Sequence, residues 1–578
     1  MKKIMLSLFV VFVVVGLVGC NDASEKPSNS SDDQQSVTFT QTYQQGVIQE
    51  TKYGTVQGYE NLEENTLVWK GIPYAKSPVG DLRWKAPEDP DTFEGIYDAT
   101  SLGNIAIQTS ADGIIGSEDC LNLDIYRPNT DETDLPVFVY IHGGNNQTGT
   151  SEEITGDAFV NDLGAIFVSV NYRLGPLGFN PLPALNTGDE LEDSGNYALL
   201  DIAKSLDWVK ENIESFGGNP TNITISGFSA GGRDVMAMLI SPIFEGKFQK
   251  AIAFSGGMTI ADEQDSMKVF ADAIAPLVVE DGVKTTEDEA YEWLLQEDES
   301  VKEYLYSLSA ERLSGLMSNA MIRMSVFPHL YNDGKVIPEE QFDTEDYNSV
   351  PLIMFTGTTE FSFFAMGDPY FASSFQDGSV FTDSEKSAQF DFAKKYGSML
   401  YKYFNTQESA LKMYDHYEAP IYTMEMPFGE NLTETTDMDA FGSFHGVFVP
   451  LLDTNNTSYL SFVTESYQLE GAQKLKEQFR GYLANFLHND DPNGDGLENW
   501  EPWTMENQVA LQLTADENNV YAQMNEVTES KADMINEIEK DSSISMEVKD
   551  QIISEVLNGR WFSTELDEYF KNSSLWVE

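Results

Sequence analysis

Residues 222–232 read NITISGFSAGG: a β-branched run, then Gly227-Phe228-Ser229-Ala230-Gly231, followed closely by the apolar stretch VMAMLI (235–240) with helical character. A serine on an abrupt strand-to-helix turn, with small residues two places to either side because larger ones would collide there, is the layout of a nucleophile elbow. GxSxG on its own is a common pentapeptide; its strand-to-helix setting is what makes Ser229 the residue from which the chain is read.

Working outward, PVFVYIH (136–142) and AIFVSVNY (165–172) have the continuous apolar character of buried strands, and YALLDIAKSLDWVKENI (197–213) has the apolar spacing of an amphipathic helix. Strand, helix, strand in this order predicts an α/β fold with a mostly parallel central sheet covered by helices on both faces. Residues 262–345 turn mainly helical and are expected to form a cap; the sheet resumes at VPLIMFTG (350–357), with a further strand at PIYTMEM (420–426). A long helix is expected over 469–488, with Leu475, Phe479, Tyr482, Leu483 and Phe486 on one face. Near the end, Val548, Ile552, Val556 and Leu557 recur at helical spacing and are closed by Asn558-Gly559, which reads as a packed helical extension or, alternatively, as a partner-binding element.

The 578-residue chain carries 95 acidic against 34 basic residues, a net charge of −61 that repels nucleic acid and excludes phosphate-backbone binding. Lys2 and Lys3 precede an apolar run, Ile4–Val15, too short for an ordinary membrane span, and Leu17-Val18-Gly19-Cys20 follows. These residues resemble a bacterial lipobox, which implies a cleaved signal at 1–19, a lipid on Cys20 and an extracytoplasmic, membrane-tethered protein. The polar residues to 46 read as a flexible tether, 47–530 as the main domain and 531–578 as the helical extension. With Cys20 so assigned, Cys120 has no partner and reads as a small buried hydrophobe. Asp491-Pro-Asn493-Gly-Asp495-Gly496 begins like a calcium loop, but position twelve is Pro502 in place of the bidentate glutamate, so a tight acidic turn is expected and no metal.

A serine hydroxyl needs a base to take its proton, and the base needs an orienting acid. Behind such an elbow the partners come in the order serine, acid, histidine. Of His142, His329, His416, His445 and His488, only His445 lies in a glycine-flanked loop well downstream of Ser229. The acid should emerge at the carboxyl end of a strand; Glu360, after VPLIMF and Thr356-Gly-Thr-Thr, meets that requirement. Backbone donors for an oxyanion are expected from Ala230 and from His142-Gly143-Gly144-Asn145, with Gly144 and Asn145 as the donors. Phe361, Phe363, Phe364, Phe444 and Phe448 crowd the acid and the base in sequence and serve either as core or as the wall of an apolar pocket.

With GIPYAKSPVGDLRW (71–84), EDCLNLDIYRP (118–128), NYRLGPLGF (171–179) and FGGNPTNITISGFSAGG (216–232) in order, the chain resembles the type B carboxylesterases, the family of cholinesterases and bacterial nitrobenzyl esterases, from about residue 50 to about 515. The resemblance implies the α/β-hydrolase fold, a triad on Ser229, Glu360 and His445, and an auxiliary serine supporting the acid and the base at Ser255, which otherwise reads as a turn residue. Three departures stand out: Phe228 where the family has glutamate, Asn145 where it has a third glycine, and Ala106 where it has the cysteine partner of Cys120. Asparagine tolerates positive φ and keeps its N–H, so the oxyanion hole survives with altered strength. The loop between Ala106 and Cys120 lacks the tryptophan with which cholinesterases hold quaternary ammonium groups, which argues against choline esters. The expected activity is hydrolysis of uncharged carboxylic esters through an acyl-enzyme, without cofactor; the alternatives are a catalytically silent binding or adhesion protein on the same fold, and an acyltransferase to an acceptor other than water.

Overall fold

The structure is a computed structural model that describes residues 42–316, 329–435, 437–558 and 564–571. The expected signal segment, Cys20 and most of the expected tether lie outside the described residues, as does Gly559. Among the described residues eleven strands form one sheet. In chain order they are β1 (Tyr59–Asn61), β2 (Thr66–Pro73), β3 (Asn122–Pro128), β4 (Leu135–Ile141), β5 (Ile166–Val170), β6 (Gly218–Phe228), β7 (Lys250–Phe254), β8 (Leu352–Gly357), β9 (Ile421–Met426), β10 (Val509–Ala515) and β11 (Val520–Glu526). Across the sheet the order is β11-β10-β9-β8-β7-β6-β4-β5-β3-β2-β1. Pairing is parallel from β5 through β10, with antiparallel strands at both edges. This is the mostly parallel, helix-flanked α/β sheet that the apolar runs predict.

The runs are continuously apolar because both faces are covered. In β4, Val137, Val139 and Ile141 belong to one core cluster, while Phe138 and Tyr140 belong to the cluster on the other face. The neighbouring strands divide in the same way: Val168 and Ile225 lie on the first side, Phe167 and Ile252 on the second. The period of two therefore persists as a division between two cores, although it is invisible as polarity. Helix α1 (Tyr197–Asn212) packs in the first core, and the long helix foreseen at 469–488 lies at Glu470–Asn489 in the second.

Helices cover this frame from two insertions. The first, between β7 and β8, contains Glu263–Glu280, Glu287–Leu294, Glu299–Ser307 and Ala310–Gly315 and joins the first core through Phe270, Ile274, Leu294 and Leu305. The second, between β8 and β9, was not foreseen: it is helical from Phe361 to Met413, apart from short connections, and includes a π-helical turn at Phe404–Glu408. It is rich in Phe, Tyr and Ser, which are ordinary rather than strong helix formers, so propensity gave little signal and packing decides the conformation. Its aromatics meet the chain's last helices in a separate cluster: Phe371, Phe390, Tyr396 and Leu400 pack with Met534, Ile538, Ile552 and Val556. The described C-terminal helices thus pack against the second insertion. Among the described residues no helix is long and apolar enough to cross a membrane.

Ile552 is fully buried in that cluster. Ile552→Ala is expected to cost about 2–4 kcal/mol and to speed amide hydrogen exchange in residues 361–403 before the sheet is affected; uniform loss of protection in sheet and insertion alike would contradict this division.

Candidate active site

Five of the parallel strands, adjacent in the order β9-β8-β7-β6-β4, end at the same edge of the sheet. The segments that follow them carry His445, Glu360, Ser255, Ser229 and the 142–149 loop respectively. Ligands and chemistry gather at the carboxyl ends of strands in open α/β sheets because the outgoing loops diverge there and leave a crevice.

Ser229 joins β6 directly to the helix Ala230–Met238 with φ 58° and ψ −115°, a left-handed backbone that serine rarely adopts. It persists because its surroundings fix it: its N–H donates to the Phe254 carbonyl at 2.9 Å, and its own carbonyl accepts from Arg233 N at 3.0 Å. The flanking glycines are obligatory. A Cβ on Gly227 would lie 2.2 Å from the Gly231 carbonyl oxygen, and one on Gly231 would lie 2.1 Å from that of Ile141.

Glu360, 1% exposed, bridges two of the other predicted residues. Its Oε2 is 2.6 Å from His445 Nδ1, and its Oε1 accepts from Ser255 Oγ at 2.6 Å, from Thr356 Oγ1 at 3.3 Å and from Gly357 N. Thr356 is itself held by Asn405 Nδ2 at 3.2 Å, from the π-helical turn. The carboxylate is therefore fixed in plane, and with Nδ1 engaged by it the imidazole directs Nε2 away from the acid; among the described residues Nε2 has no hydrogen-bond partner. Aromatic rings enclose the imidazole, with centroids at 4.5 Å for Phe228, 4.7 Å for Phe364 and 5.7 Å for Tyr401.

The structure divides the predicted phenylalanines. Phe361, Phe444 and Phe448 are core, whereas half-buried Phe364 walls the histidine. Half-buried Phe363 lies on the same helix and makes no ring contact with the histidine among the described residues.

The 142–149 loop lies against Ser229: a Cβ on Gly143 would be 3.1 Å from Ser229 Cβ. Gly144, Asn145 and Asn146 have φ of 96°, 58° and 55°, so the loop turns its amides through successive left-handed residues, the kind of concavity that receives an anion. Glu153 Oε2 ties the loop from behind, accepting from Gly143 N at 2.7 Å and from Tyr140 Oη at 2.8 Å. His142 is fully buried, stacks on Tyr172 and is pushed down to about 4 by burial; it is a neutral prop under the loop. His329 packs on Phe179, His488 binds the Leu163 carbonyl and His416 is exposed, which leaves His445 with the acid. Cys120 is buried, and its thiol is raised by desolvation. Residues 491–500 form a tight turn in which Asn493 Oδ1 accepts from Trp500 N at 2.6 Å.

Sequence reasoning missed Tyr401, Glu153, Arg233 and Asp234. Tyr401 Oη donates to the Ser255 carbonyl at 3.0 Å and lies within hydrogen-bonding reach of the Ser229 side chain. Arg233 Nη2 donates to Asn145 Oδ1, and Asn146 Nδ2 to Asp234 Oδ1, both at 2.8 Å. A signal existed for the last two: Arg233-Asp234 is a pair of charges in the first turn of an otherwise apolar helix.

Residues 45–418 match the model of the carboxylesterase family. The chain is 41% identical over 241 residues to the para-nitrobenzyl esterase of Bacillus subtilis, covering 40% of this chain and about half (48%) of that relative. It is 28% identical over 568 residues to a medium-chain fatty acyl-CoA hydrolase precursor of Anas platyrhynchos, covering 89% of this chain and 93% of that one. A solved para-nitrobenzyl esterase structure superposes with a TM-score of 0.64 at 26% identity, over 85% of this chain and 99% of that one.

Burial raises the Glu153 carboxyl from 4.5 to about 7. The folded state thus keeps the proton to higher pH than the unfolded chain, and stability from this group is lost as pH rises from about 4.5 through about 7. Glu153→Gln, which keeps an acceptor for Gly143 N, is expected to raise urea stability at pH 8 by up to roughly 3 kcal/mol and by much less at pH 5; equal effects at the two pH values would contradict the assignment.

Proposed function

The chain belongs to the carboxylesterase family and is a serine carboxylic-ester hydrolase, and from that premise we propose that Ser229 is its nucleophile, His445 its general base and acid, and Glu360 the group that orients the imidazole. The observation that carries this reading is the carboxylate of Glu360, held between Ser255 and His445 at 2.6 Å on each side, next to a serine on a strained elbow.

In the resting site the Ser229 side chain lies within hydrogen-bonding reach of the Tyr401 phenol. As an ester carbonyl seats against the 142–149 loop, the hydroxyl turns to His445 Nε2 and Oγ attacks the carbonyl carbon while its proton passes to that nitrogen. The oxyanion so formed is received by the amides of Gly144, Asn145 and Ala230. The imidazolium, stabilised by Glu360 at Nδ1, gives its proton to the leaving alkoxide, and an acyl-Ser229 ester remains. Water, deprotonated by the same Nε2, attacks that ester; collapse of the second tetrahedral adduct releases the carboxylic acid and restores the serine. All bonds made and broken are those of substrate, serine and water, so the cycle requires no cofactor.

Phe228, Phe364 and Tyr401 present apolar faces around the reacting atoms. An uncharged acyl or alcohol group is desolvated there at little cost, whereas a charged one loses its hydration without an ion-pair partner. The likeness to para-nitrobenzyl esterases supports uncharged esters as the substrate class. The Lys2–Cys20 segment supports a lipid-anchored, extracytoplasmic setting for this activity.

A panel of para-nitrophenyl esters from acetate to decanoate is expected to be hydrolysed by the wild type, and Ser229→Ala is expected to lose at least about 10³-fold in kcat. A fluorophosphonate probe should label the wild type and not the variant. Labelling absent from the wild type, or equal in both, would sink the enzymatic role of Ser229. Cys20→Ala should move the protein from the membrane fraction to the medium; unchanged membrane retention would remove the lipid anchor.

A further inference from the structure

The loop that carries two of the three proposed oxyanion donors is gripped by the helix that starts at the nucleophile. Arg233 Nη2 donates to Asn145 Oδ1 and Asn146 Nδ2 donates to Asp234 Oδ1, each at 2.8 Å, so consecutive residues of the helix hold consecutive residues of the loop. Asn146 Oδ1 also accepts from Tyr172 Oη at 3.0 Å. All four rung residues are buried, with Arg233 2%, Asp234 1% and Asn146 0% exposed. Both asparagines sit at left-handed φ, 58° and 55°, where a loop with side chains needs something outside its own backbone to hold it.

We propose that Arg233 and Asp234 are positioning residues for acyl transfer, which set the oxyanion hole through the side chains of Asn145 and Asn146. The inference rests on the reading of Ser229 as nucleophile given above. It also accounts for a departure from the family: asparagine at 145 removes a glycine and supplies, in exchange, the acceptor that a buried guanidinium requires. The arrangement has a catalytic consequence beyond rigidity. Arg233, 2% exposed, brings a positive charge within one side chain of the proposed donor amide of Asn145, at a buried position where it is little screened. Asp234 would oppose that charge, but burial raises its carboxyl to about 7, so near neutrality much of it is uncharged. Arg233 touches Asn145 and not the reacting atoms, so its effect should appear in kcat and in the binding of tetrahedral mimics, with KM spared.

The test is a double-mutant cycle on the full chain with Arg233→Met and Asn145→Gly, read as kcat, KM and the inhibition constant of an aryl trifluoromethyl ketone, which forms a tetrahedral adduct on serine. Arg233→Met is expected to lower kcat by about 10–100-fold, to weaken the ketone in parallel and to leave KM within about threefold. Asn145→Gly alone removes the side-chain acceptor of Arg233 Nη2 and should lose as much. The double variant should be no worse than the poorer single one, because both remove the same contact. Arg233→Lys, which keeps charge and donor, should recover to within about tenfold of wild type and serves as the second variant if Arg233→Met does not fold. Losses that simply multiply, or a kcat loss without any loss of ketone affinity, would overturn the positioning role while leaving Ser229 as nucleophile intact. A wild type that hydrolyses no ester and takes no fluorophosphonate would instead remove the reading on which the inference stands.

Discussion

The site depends on one backbone constraint: Ser229 is held in a left-handed conformation at the junction of β6 and its helix. A conformation of this kind costs of order 1–3 kcal/mol and persists only when neighbours over-determine it. Here the neighbours are the β6–β7 register, which delivers the Phe254 carbonyl to Ser229 N, and the close approach of Gly231 to the Ile141 carbonyl, which no side chain would permit. The same approach presses the end of β4 against the start of the helix, so the loop after β4 leaves the sheet beside the serine. The proposed nucleophile and the proposed oxyanion donors are thus placed by one steric requirement, with the parallel sheet as the rigid member.

The proposed acid and base are placed by a different device. Glu360 has no strained backbone; its position comes from hydrogen bonds that converge on Oε1 from β8 and from Ser255, at the end of β7. Ser255, itself at φ 51°, repeats the logic of Ser229 one strand over. Tyr401 links the two serines, bonding the backbone of one and the side chain of the other. Tyr401 belongs to the second insertion, whose outer face is covered by the C-terminal helices. The extension is therefore connected to the site through packed aromatics: Ile552 to the Phe390 cluster, Phe361 within that cluster, and Phe364 from Phe361 to the imidazole.

Strands were legible where a β-branched or aromatic run was flanked by turn residues, as at 136–142 and 222–226, because burial on both faces leaves no other use for such runs. The elbow at Ser229 and the pairing of Glu360 with His445 were legible because the elbow predicts the order in which an acid and a histidine follow. The second insertion was not: its Phe, Tyr and Ser residues carry little helical propensity, and its helices exist because the sheet and the C-terminal segment cover them. Arg233 and Asp234 were overlooked for the opposite reason. They adjoin an apolar run whose pattern dominates the helix, although two charges at the start of a buried helix require partners, here supplied by the polar loop Gly143–Gln147.

The charge distribution closes the physical picture. The surface is strongly acidic, with a net charge of −61 over the chain, and such a field disfavours the one negative charge that ester hydrolysis must create. At physiological ionic strength the field of exposed carboxylates falls off within about 8 Å, so the interior of the site is governed by the groups that touch it. Those groups are amides, an arginine one residue removed and a histidine between aromatic faces, while the nearby buried acids Glu153 and Asp234 are raised toward neutrality by the same desolvation. An anionic substrate would meet repulsion outside and, among the described residues, would find its nearest buried cation, Arg233, engaged by Asn145. A neutral ester meets neither penalty, and it acquires charge only at the carbonyl oxygen, where the loop and the elbow supply donors.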